Sequence, residues 1–112
     1  MYKKNTTKLP YTVTTDTLTK INFLFDLSVN TKSPITVHQL LDIVLTNITQ
    51  ETRISQISNG DILQSLAMAL AVRMKMIAAD DALVEKMVME LVLKALNAAK
   101  KASITEVSKG NA

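Results

Sequence analysis

The sequence predicts a mainly α fold: a small helical bundle of three helices, at about 37–53, 61–79 and 81–101. An N-terminal segment, 11–29, is either a fourth helix or a short β element. Three observations carry this prediction. Between Leu66 and Ala79 only Arg73 and Lys75 are not apolar, and the segment is rich in Ala, Leu and Met, which are strong helix formers. Residues 81–101 carry a polar stripe at helical spacing, Lys86, Glu90, Lys94, Asn97 and Lys101, opposite a broad apolar arc. Thr36 with Gln39 three residues on forms a capping-box pattern ahead of an amphipathic run.

The elements follow in order. Residues 1–10 carry Lys3, Lys4 and Lys8 with no acid, and read as a mobile basic arm. In 11–29 two patterns compete. Ile21, Phe23, Phe25, Leu27 and Val29 alternate with mostly polar neighbours, the period of a strand, whereas Asp16 would cap a helix burying Leu18, Ile21, Phe25 and Val29. Asn30 to Pro34 is a turn.

In the helix 37–53, Val37, Leu40, Leu41, Val44 and Ile48 share one face, with His38, Asp42, Thr46, Thr49 and Arg53 opposite. Asn59-Gly60 signals the next turn, and Ser58 or Asp61 caps the central helix. Arg73 and Lys75 sit about 200° apart on that helix, so they cannot share one solvated face, and the helix needs neighbours on most sides. Asp80 and Asp81 supply the cap and first turn of the last helix, where acids favour the positive end of the dipole. A short connection there makes 61–101 two antiparallel helices in preference to one bent helix. The domain plan is a basic arm, 1–10, a single helical domain, 11–102, and a polar tail, 103–112.

Composition narrows the chemistry. The 112 residues suffice for one modest core, and 47% of them are apolar and 21% charged, as in a globular chain. Without cysteine there are no disulfides, thiolate metal sites or cysteine nucleophiles. Glycine occurs only at 60 and 110, so no phosphate-cradling loop is assembled by motif. His38 with Asp42 one turn later is half of a general-base device, but no nucleophile or oxyanion hole accompanies it. Asp80, Asp81 and Glu85 lack the loop of a calcium site and are read as helix-capping acids. The methionines at 68, 74, 76, 87 and 89 do not line one stripe and are read as core filler. The start of the chain lacks the apolar run of a secretory signal, no stretch is long and uncharged enough to span a bilayer, and the expected setting is cytoplasmic. Two glycosylation triplets, at Asn5 and Asn47, are read as chance.

These readings exclude an enzyme and call for no cofactor or metal. They point to a small protein that acts through protein–protein contact, a homodimeric regulatory or accessory protein. Its contact falls on the central and last helices, with Met68, Val72, Met76, Val84, Met87 and Leu91 as candidates, because one protomer has too little chain to cover both. The alternative is a nucleic-acid-binding regulator gripping phosphates with Lys3, Lys4 and Lys8. A net charge of +3 and an apolar central helix argue against that alternative.

Overall fold

A computed structural model describes residues 7–106. The elements are β1 (Lys8–Thr14), β2 (Thr19–Asp26), α1 (Pro34–Ser55), α2 (Asn59–Lys75), α3 (Asp81–Lys100) and β3 (Ser103–Glu106). The fold is therefore α+β. A three-stranded antiparallel sheet in the order β1-β2-β3 overturns the expectation of a purely helical bundle. Residues 8–10, read as part of a mobile arm, lie in β1, and residues 103–106, read as tail, form β3. The chain divides into a sheet unit, drawn from residues before Ile35 and after Met89, and a helical unit, Ile35–Met89.

The alternation seen from Ile21 onward prevails in the sheet unit. Leu9, Tyr11 and Val13 oppose Phe25, Phe23 and Ile21, and Ile104 of β3 opposes Ile21 from the other side. Opposed residues of an antiparallel pair share a face, so these form one apolar face, and Leu9 and Tyr11 are buried. The Phe23 and Phe25 rings stack on it, with centroids 5.4 Å apart and planes within 5°. The other face carries Lys8 opposite Asp26, Thr12 opposite Asn22, and Asn22 opposite Ser103. A polar ladder crosses it. Thr12 Oγ1 donates to Asn22 Oδ1 at 2.9 Å, and Asn22 Nδ2 donates to Thr105 and Ser103 hydroxyls at 3.3 and 3.4 Å.

The hairpin turn contains neither glycine nor asparagine. Leu18 takes the left-handed conformation, φ 64°, which costs an ordinary side chain about 1–2 kcal/mol. Threonines hold it there: Leu18 N–H donates to the Thr15 carbonyl at 2.9 Å, and Thr19 N–H to Thr15 Oγ1 at 3.1 Å. The hydrogen bonds from Leu27 N–H to Thr7 O and from Thr15 N–H to Thr19 O put the odd residues of β1 in the bonded positions. Pro10, an even residue, therefore directs its missing N–H to the free edge. A proline there blunts the edge against strand addition.

In the helical unit, α1 begins two residues before Thr36, with Pro34 at a first-turn position where its missing N–H costs nothing. It ends at Gln56, φ 52°, whose N–H reaches the Thr52 carbonyl at 2.8 Å. Ser58 caps α2 by accepting from Asp61 N–H at 3.1 Å, and Asn59-Gly60 lies in its first turn. Helix α2 stops at Lys75, four residues short of the expected boundary. Asp80 Oδ2 accepts from Leu83 N–H at 3.1 Å and caps α3, so 61–101 is two helices. Lys75 Nζ and Asp81 Oδ2, 2.9 Å apart, tie the ends of the connection.

Burial is sparse. Among the described residues only Leu9, Tyr11 and Val84 are buried. Helices α1 and α2 contain no buried residue, although α2 was expected to be covered on most sides.

Candidate functional site

The helical unit offers an apolar surface. On α1, Val37, Leu41, Leu45, Ile48 and Thr52 form a half-buried stripe, while Leu40, Ile43 and Val44 beside it are exposed. On α2, Ile62 and Leu66 are half-buried. They line, with Val44, Ile48 and Ile57, a groove of about 390 Å³ whose polar margin includes Glu51 and Asp61. Away from that groove, Met68, Val72 and Met76 recur every fourth residue along one side of α2, each more than half exposed at 57%, 58% and 64%. Met76 lies one residue past the helix but keeps helical geometry, φ −73° and ψ −13°, so the stripe is continuous.

The other expected contact residues fall elsewhere. Val84 is buried within its own chain, Met87 is half-buried, and Leu91 is exposed on the part of α3 that belongs to the sheet unit. Of the six expected residues, the three on α2 form one exposed stripe. Of the methionines expected in the core, 68, 76 and 89 are exposed and 74 and 87 half-buried.

The sheet unit offers a cleft of about 430 Å³ with mixed polar and apolar walls, lined by residues of the strands and of the C-terminal part of α3. Lys94, Asn97 and Ala98 of α3, with Lys101 just past its end, form one wall, and Lys8, Asn22, Phe23, Leu24 and Asp26 form the strand wall. Lys8 pairs with Asp26 across the hairpin. The hydrogen bond and charge of Lys8, with Lys94 and Lys101 acting at longer range, hold the Asp26 carboxyl below its ordinary range. Of the expected phosphate-contacting lysines, Lys8 is here, and Lys3 and Lys4 lie outside the described residues. Sequence reading missed Lys94 and Lys101 as partners of Lys8, because it treated them as a solvated stripe. Only the strand register brings Asn22 and Asp26 to face them.

His38 Nδ1 lies 3.7 Å from Asp42 Oδ2 with both side chains exposed, the geometry of a surface ion pair one helical turn apart. Asp80 and Asp81 are engaged as cap and as the partner of Lys75. No described helix is long and apolar enough to cross a membrane. Comparison with known proteins finds no matching family model, no matching curated protein and no matching solved structure.

Proposed function

We propose that this chain is a non-enzymatic interaction protein, regulatory or accessory in role, that works as a homodimer in the cytoplasm. The observation that carries the reading is the exposed stripe Met68–Val72–Met76 on a helix with no buried residue. Three large apolar side chains in a row, each more than half exposed, form the kind of apolar surface that marks a contact site. Full burial of each stabilises by about 1.5–3 kcal/mol, so association is strongly favoured.

Charge placement supports a second copy as the occupant. Met68 lies midway between Asp61 and Lys75, and all three fall within about 40° of one another around α2. An antiparallel pairing of two α2 helices about a two-fold axis at Met68 sets Asp61 of each beside Lys75 of the partner subunit. Opposed charges of this kind fix orientation more than they add affinity. Lys75 has donors to spare beyond its bond to Asp81.

The absence of cysteine makes a direct test available. In the Met68→Cys variant, two thiols meet near the axis, and mild oxidation yields a disulfide-linked dimer in high proportion. Leu63→Cys, on another side of α2, serves as the comparison and crosslinks poorly. Equal, slow crosslinking at both positions would count against the pairing.

A further inference from the structure

The cleft of the sheet unit differs in chemistry from the α2 stripe. We propose that it binds a small organic phosphate monoester, through Lys94 on α3 and Lys101 just past its end, with Lys8 on β1. Three lysines and one carboxylate, Asp26, line it, a net of two positive charges around a concave space. Carbonyls at the C-terminus of α3 subtract about half a charge, and the cleft stays positive. A phosphate monoester carries close to two negative charges at neutral pH.

Lysine at a helix C-terminus often does no more than complement the dipole, and that accounts for Lys100 and in part for Lys101. It does not account for Lys94, two turns from the end, nor for both lining the same cleft as Lys8 and Asp26. Asp26 already has Lys8 as its close partner. Among the described residues neither Lys94 nor Lys101 forms an ion pair, and Glu90, one turn before Lys94, does not supply one. Two lysines on one cleft, with no ion pair among the described residues, leave it a positive potential that suits an anion.

The walls fit a ligand with an organic part. A space of about 430 Å³ lies within the range typical of small-molecule sites, roughly 300–1,000 Å³. Leu24 and Ala98 give it apolar surface, and Asn97 adds an amide able to donate and accept. The opposing Asn22 is held by the threonine and serine ladder, so that wall is already organised. A nucleic-acid strand would need a basic track running beyond the cleft, and this site is bounded.

The test is a heteronuclear NMR titration of the full chain with AMP, inorganic phosphate and a dT decamer in turn, at low and at physiological salt. Expected is a saturable response to AMP at the amides of Asn22, Asn97 and Ser103, with inorganic phosphate weaker. A Lys94→Gln/Lys101→Gln variant should bind AMP at least tenfold more weakly, and Lys100→Gln should leave it unchanged. Both variants change exposed side chains, and retained amide dispersion verifies their fold. Binding should persist in a Val72→Asp chain, which separates this site from self-association. No saturable response at millimolar AMP, equal binding of inorganic phosphate, or a preference for the decamer spread over other lysines would each overturn the assignment.

Discussion

Ser58 and Gly60 stand two residues apart at the start of α2 and pull its stability in opposite directions. The Ser58 hydroxyl satisfies one of the free N–H groups of the first turn, so Ser58→Ala should destabilise the protein by about 1 kcal/mol. Gly60 is helical without need: a methyl placed on it would meet only the Ser58 hydroxyl, at 3.9 Å. Gly60→Ala should therefore stabilise by roughly 0.5–1 kcal/mol, and thermal unfolding of the two variants checks both signs. Asp26 provides a pH-dependent test. Its folded pKa lies below the ordinary 3.8 because Lys8 favours the carboxylate. The stability it contributes is thus present above the unfolded pKa and lost as pH falls through the folded one. Carboxyl-detected NMR titration should show Asp26 titrating below 3.8, and Lys8→Gln should move it back up. An unchanged midpoint in that variant would mean the ion pair does not form in solution.

The elements differ in how far they declare themselves. Capping residues were legible: Ser58 and Asp80 accept the N–H bonds that their positions promised, and α2 and α3 separate where two acids follow a run of alanines. In β2 the alternation of Ile21, Phe23 and Phe25 was legible as period two, but its partners were not. The hairpin turn lacks glycine because threonine hydroxyls hold Leu18 in a conformation glycine usually supplies, and that chemistry leaves no short-range signal. Strand β3 has only four residues, and its pairing with β2 is a contact across some eighty residues of chain, beyond the reach of local periodicity. Of the residues expected at a contact, Met68, Val72 and Met76 are exposed as a stripe on α2, against the expectation that this helix is covered and its methionines fill a core, whereas Val84 is buried. That stripe allows an element-scale prediction. Val72 is exposed in the protomer, so Val72→Asp should leave helix content unchanged. An unpaired carboxylate in an apolar contact costs several kcal/mol, and dimer affinity should fall by a hundredfold or more. Circular dichroism with sedimentation at graded concentrations reads both; loss of helix would show that Val72 supports the protomer itself.

Taken whole, the described chain buries three side chains, Leu9, Tyr11 and Val84, and leaves most of its large apolar residues in contact with water. Ordering a residue costs about 1–2 kcal/mol of backbone entropy, and apolar burial is the main term that offsets it. With so little interior in each chain, the proposed homodimer would add apolar burial on association and so tie stability to protein concentration. The helical unit has most to gain from such burial, since neither α1 nor α2 has a buried residue. The measurement that tests this most directly is sedimentation equilibrium of the unmodified chain across nanomolar to micromolar concentrations. The account predicts twice the 12.3 kDa chain mass at micromolar concentration, with unfolding midpoints that rise with concentration. A 12.3 kDa species throughout, folded and with a concentration-independent midpoint, would contradict it.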